Sequence, residues 1–173
     1  MGAGVVRRIV VVRHAKAVAH DAVRDHGRRL AERGRRDAPA AGRWLAEQGV
    51  VPELAIVSTA ARTRETWELA GAELGGAPRT VFDERVYLAD VEELLAVLRE
   101  VSAEVGTVVV VGHNPGVHEL AETLAGEGEE DLLDRMDARG FPTSAVAVLE
   151  FDGSWRGVGP DVARLTGFRT PRG

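Results

Sequence analysis

Three short aliphatic runs constrain what this chain can fold into: Arg8 to Val12, Leu54 to Val57 and Thr107 to Val111. Each is only a few residues long, rich in valine or isoleucine, and free of polar alternation. That is the pattern of strands buried on both faces, as in a parallel sheet covered by helices. Each run also ends abruptly in polar residues: Arg13-His14, Ser58-Thr59-Ala60-Ala61-Arg62 and Gly112-His113-Asn114-Pro115.

Helical stretches separate the runs. Gly34 to Gln48 sets Ala38, Ala41, Trp44 and Leu45 on one stripe, with Gly49 as a C-cap. Thr63 to Leu74 does the same with Trp67, Ala70 and Leu74. Asp90 to Val101 carries Val91, Leu94, Leu95 and Leu98 on one side and acidic residues in its first turn, Asp90 serving as N-cap. Asn114-Pro115 reads as the start of another helix running to about Leu124, with Asn as N-cap and Pro at the first position.

Weaker signals complete the chain. Arg79 to Phe82 is a weak strand, and Gly126 to Gly140 is acidic and irregular, with a short helix around Asp131 to Met136. Val146 to Phe151, Asp152-Gly153 and Ser154 to Val158 read as a β-hairpin. The pattern predicts an α/β fold: a three-layer sandwich, its central sheet mostly parallel, with helices on both faces and a C-terminal β-hairpin. We expect one domain over residues 1–173, with a core from about 8 to 158 and a loose tail from Arg164 onward.

Composition narrows the function. The 173 residues include no cysteine, which excludes disulfides and thiolate metal sites. A net charge of −5 and scarce aromatics argue against a nucleic-acid partner. The apolar run near the N-terminus is too short for a signal peptide or membrane span, so cytoplasmic residence without membrane association is expected. Lys16 is the only lysine, so arginine abundance reflects codon composition, and each arginine must be argued from its position.

Ligands of open α/β sheets bind beyond the carboxyl ends of the strands. If the three buried strands are parallel neighbours, His14, His113, Arg13 and Arg62 converge on one rim. Such a set repels itself unless an anion neutralises it. Guanidinium groups match phosphate oxygens bidentately, and a neutral imidazole is a competent nucleophile towards phosphorus. Helix N-termini after Val57 and Val111 would add N–H donors for the same anion. The residues fit phosphoryl transfer through a covalent phosphohistidine.

The sequence resembles the histidine phosphatase superfamily, which shares the phosphoglycerate mutase-like fold. The family's first-strand Arg-His-Gly or Arg-His-Ala is matched by Arg13-His14-Ala15. Its Ser-x-x-x-Arg-x-x-x-Thr is matched by Ser58, Arg62 and Thr66, and its Gly-His after a hydrophobic strand by Gly112-His113. A further Arg-x-Leu-x-x-x-Gly element is matched by Arg28, Leu30 and Gly34. Arg-His-Ala, the short chain and Tyr87-Leu88-Ala89 point to the small SixA-like branch, associated with removing phosphate from phosphohistidine in bacterial signalling proteins.

The resemblance implies roles. His14 is the nucleophile, oriented through its other ring nitrogen by a backbone carbonyl. Arg13, Arg62, His113 and Arg28 bind the phosphoryl oxygens. Larger relatives carry an acidic residue after the third strand, where Glu84 stands in Asp83-Glu84-Arg85; Glu84 is either the leaving-group acid or part of a charged loop. Arg64, Lys16, His20, His26 and His118 read as surface groups. Neither cofactor nor metal is required, because the arginines bring the positive charge a metal would supply.

The expected substrate is phosphohistidine on a signalling protein, whose imidazole leaves easily without a positioned acid. A small phosphorylated metabolite, such as a sugar phosphate or nucleotide, is the alternative. A phosphoglycerate mutase fits less well, and intact His14 and His113 argue against a phosphoprotein-binding module without catalysis. Oligomeric state is not legible in the sequence.

Overall fold

The computed structural model describes residues 5–19 and 24–172; His20 falls outside them. Its strands are β1 (Val6–Arg13), β2 (Leu54–Val57), β3 (Arg79–Phe82), β4 (Thr107–Gly112), β5 (Ala125–Gly128), β6 (Val146–Asp152) and β7 (Ala163–Arg169). Five helices accompany them: α1 (Glu32–Glu47), α2 (Ala61–Gly71), α3 (Val91–Arg99), α4 (Gly116–Leu124) and α5 (Leu132–Arg139). The strands form one mixed sheet in the order β3-β2-β4-β1-β6-β7-β5. β3, β2, β4 and β1 run parallel, β6 is antiparallel to β1 and β7, and β5 returns parallel to β7.

Alternation within the buried strands builds two cores. Ile9, Val11, Val108 and Val110 face one side, where Leu94, Leu95 and Leu98 of α3 and Leu120 of α4 cover them. Val10, Val12, Val109 and Val111 face the other side, against Ala41 and Leu45 of α1 and Trp67 of α2. Each fully buried aliphatic side chain contributes about 1.5–3 kcal/mol, which is why β1 from Ile9 to Val12 and β4 from Val108 to Val111 carry only aliphatic residues. This is the expected three-layer α/β sandwich. Asp90 caps α3 as expected: its side chain accepts from the Glu93 N–H, and the Glu93 side chain returns the contact.

Four local expectations are corrected. Asn114 does not cap α4; its side-chain amide donates to the Phe141 carbonyl at 2.7 Å, and the helix begins at Gly116 after Pro115. The second strand of the hairpin is not Ser154 to Val158, which instead holds a 3-10 turn at Trp155–Gly157 that buries Trp155. The partner of β6 is β7, so the tail from Arg164 onward is not loose but paired inside the sheet between β6 and β5. The acidic stretch from Gly126 begins within strand β5 before reaching α5. Among the described residues, no helix is long and apolar enough to cross a membrane.

Candidate active site

Strand register brings the three polar segments to one rim. Arg13 at the end of β1 pairs with Gly112 at the end of β4, and Val57 at the end of β2 pairs with Val111. The chain then turns out of the sheet at each point. His14 is held by its own N–H, which donates to the Gly112 carbonyl, and by its carbonyl, which accepts from Ser144. Its ring lies 5.4 Å from that of His113, centroid to centroid, with the planes inclined at 52°.

The His14 Nδ1–H donates to the Ala15 carbonyl at 2.8 Å. A carbonyl oxygen can only accept, so the proton sits on Nδ1 and the Nε2 lone pair is left for chemistry. His14 is 7% exposed. Burial lowers its pKa to about 4, with Arg62, Arg13 and Arg28 adding repulsion against a positive ring. It is therefore neutral at ordinary pH, the form a nucleophile needs.

The spacing in Ser58-x-x-x-Arg62-x-x-x-Thr66 has a physical reading. Positions four apart share a helix face, so α2 directs Arg62 and Thr66 towards the same rim. Thr66 Oγ accepts from the Ala15 N–H at 2.9 Å, pinning the residue next to the nucleophile, and donates back to the Arg62 carbonyl. Ser58 Oγ accepts from His113 Nε2–H at 2.7 Å, while Arg62 donates to His113 Nδ1 at 3.2 Å. These two contacts fix the His113 tautomer. Burial first, then Arg62, pushes the His113 pKa down to about 3.

Arg28 enters from the segment that follows β1. Leu30 is fully buried, and Ala17 bridges to Leu30. Gly34 of α1 lies so close to that segment that an added Cβ would stand 2.2 Å from the Lys16 carbonyl oxygen. The spacing Arg-x-Leu-x-x-x-Gly therefore encodes a close helix-to-backbone approach with Leu30 as anchor, which aims Arg28 inward. Arg13 is half-buried at the same rim, its guanidinium donating to the Phe141 carbonyl at 3.2 Å.

One residue of this cluster, Asp25, carried only a faint sequence signal. Asp25 accepts from Arg28 at 2.9 and 3.1 Å through one carboxylate oxygen. Through the other it accepts from Arg62 at 3.1 Å and from the Tyr87 hydroxyl. The Tyr87 hydrogen bond, with those of Arg28 and Arg62, holds its carboxyl well below the usual carboxylate range. The clue was faint: an acid three residues before Arg28, in no periodic element.

Glu84 occupies an exposed 3-10 turn and makes no hydrogen bond to His14, Arg13, Arg62 or His113 among the described residues. The structure does not bring it into the cluster; its near neighbour Tyr87 is the group that reaches in. His26 is exposed but lies at the rim, its ring 4.8 Å from Tyr87 and its Nε2 2.8 Å from Thr59 Oγ. Arg64 sits over Phe82, His118 stacks on Phe141, and Lys16 is exposed, all outside the cluster.

A neutral, oriented imidazole beside guanidinium groups at the carboxyl ends of parallel strands defines a phosphoryl-transfer site. The sequence profile of the histidine phosphatase superfamily (branch 1) matches residues 9–87. A candidate phosphohistidine phosphatase SixA from Nakamurella multipartitia is 33% identical, covering 97% of this chain and 98% of its own, with a TM-score of 0.82. Another from Agrobacterium tumefaciens is 32% identical over 95% of this chain and 99% of its own, with a TM-score of 0.78. An uncharacterised protein of Mycobacterium leprae is 38% identical over 93% of this chain and 100% of its own. The chain belongs to the histidine phosphatase superfamily. Within it the chain is SixA-like, and it is a phosphatase.

Proposed function

We propose that this protein removes phosphate from phosphohistidine on another protein, through a covalent phosphoryl intermediate on His14. His14 Nε2 attacks phosphorus in line, forming the N–P bond as the P–N bond to the substrate imidazole breaks. Arg13, Arg62 and Arg28 hold the non-bridging oxygens, joined by His113 once its Nε2–H is released from Ser58. Water then cleaves phospho-His14, returning the imidazole and releasing orthophosphate. Fixed positive charge and positioning supply most of the acceleration.

The state of the carboxylates carries the choice of substrate. An alkoxide leaving group needs a proton, a step worth about 10²–10⁴-fold. Asp25 is held ionised by Arg28, Arg62 and Tyr87, and Glu84 stands outside the cluster. A substrate imidazole can take its proton from solvent, so P–N bonds suffer least from the lack of a placed acid. A relative solved with tungstate, a SixA protein histidine phosphatase 26% identical over 95% of this chain, also supports the reading.

A panel comparing a phosphohistidine peptide with sugar phosphates, nucleotides and aryl phosphates tests it. We expect the peptide to give the highest kcat/KM, and Glu84→Gln to change it by less than about twofold. A sugar phosphate or nucleotide turned over faster would move the assignment to a small-metabolite phosphomonoesterase. A large loss on the peptide in Glu84→Gln would return Glu84 to the chemistry.

A further inference from the structure

We infer that Asp25 is the resident occupant of the phosphate clamp: its carboxylate holds Arg28 and Arg62 in the empty enzyme, and an incoming phosphoryl group must displace it. The inference rests on the proposed role of those arginines in binding phosphate. Carboxylate and phosphoryl oxygens compete for the same guanidinium donors, and both bind best as charge-assisted pairs. Here the Asp25 carboxylate collects donors from three separate parts of the chain: Arg28 of its own segment, Arg62 of α2 and Tyr87 after β3.

Accessibility gives an independent reason. With Asp25 seated, His14, Arg62 and His113 are 7%, 2% and 3% exposed. The Arg62 guanidinium is closed to a ligand while Asp25 holds it, so an anion gains those donors only when that contact opens. The exposed side of the cluster is the Asp25 side, its side chain being 27% exposed against 3% for Arg62.

The rearrangement needed is small. Arg62 also donates to the Asp25 backbone carbonyl at 2.8 Å, as does the Arg28 N–H at 3.1 Å. Both can persist while the carboxylate rotates away. A phosphoryl dianion brings more charge and more acceptor oxygens than the carboxylate it replaces, which drives the exchange. The cost of exchange appears as weakened affinity, because a ligand that binds only the open form sees only that fraction of the protein.

A rival role predicts the opposite sign. If Asp25 serves to orient the two arginines for phosphate, removing it weakens anion binding. If it competes, removing it strengthens binding. Orthophosphate and tungstate binding should be titrated calorimetrically into the unaltered protein, Asp25→Asn, Asp25→Ala and Glu68→Gln. Glu68 is an exposed carboxylate on α2 and controls for the loss of one negative charge.

We expect both Asp25 variants to bind both anions about tenfold more tightly, as when the open form is about a tenth of the population. Glu68→Gln should stay within about twofold, and Arg62→Ala should abolish binding in every background. Thermal unfolding confirms that each variant is folded. Weaker or unchanged binding in both Asp25 variants overturns the inference while leaving the proposed function standing. Failure of every folded variant to bind either anion overturns both.

Discussion

Arg7 in strand β1 and Arg62 in helix α2 are both buried arginines, and they teach different things. Arg62 follows the carboxyl end of β2; Arg7 stands near the start of β1, six residues and roughly 20 Å from Arg13 along the strand. Their exposures are 2% and 7%. Arg62 meets a carboxylate and an imidazole, Asp25 and His113. Arg7 meets a carbonyl and an indole: it donates to Ala103 at 3.0 Å and lies 5.8 Å from the Trp155 ring. It lines a cavity of about 600 Å³ with Arg99 and Arg156, and no histidine borders it. Burial of an arginine does not mark a site. What marks one is a neighbouring neutral nucleophile and a counter-anion that can be exchanged.

Substituting each arginine sharpens this contrast. Arg62→Ala should lower kcat/KM on a phosphohistidine peptide by about 10²–10³-fold, the scale for losing a preorganised charge contact in a transition state. Arg7→Ala should leave kcat/KM within about threefold and instead cost about 1–3 kcal/mol of stability, from the lost carbonyl hydrogen bond and cation–π contact. Equal activity losses in the two variants would break the distinction.

Acid sensitivity separates the two ends more finely. His14 and His113 titrate near pH 6.5 in the unfolded chain but are held to about 4 and about 3 in the fold. As pH falls from 6.5 towards 4, the unfolded chain takes up protons that the folded protein refuses, so stability declines. Above pH 6.5 both states are neutral at these rings and the effect vanishes. Denaturant unfolding across that window should show a shallower decline in His113→Asn. Arg7→Ala should lower the whole curve without changing its slope. A parallel slope in all three proteins would contradict the histidine assignment.

Much of this was legible because strand ends and helix spacings are local. Arg13, His14, Arg62 and His113 could be placed from three buried runs, since parallel register carries their ends to one rim. Arg28 followed from the Leu30 and Gly34 spacing. Asp25 was not legible: its role comes from Arg62 and Tyr87, each distant in the chain, and no periodicity points at it. β7 was hidden because its alternation is broken by Gly167 and by a register shift opposite Val148 and Leu149. β5, with the sequence Ala-Gly-Glu-Gly, pairs through its backbone and has no apolar pattern to read.

In the proposed reaction His14 carries the phosphoryl group between substrate and water. Rapid quenching in alkali during turnover of a labelled phosphohistidine peptide, followed by mass spectrometry, measures that step directly. One acid-labile, alkali-stable phosphoryl group per chain on His14, lost in a folded His14→Ala protein, is the predicted result. Label on His113, or continued turnover by His14→Ala, would contradict it.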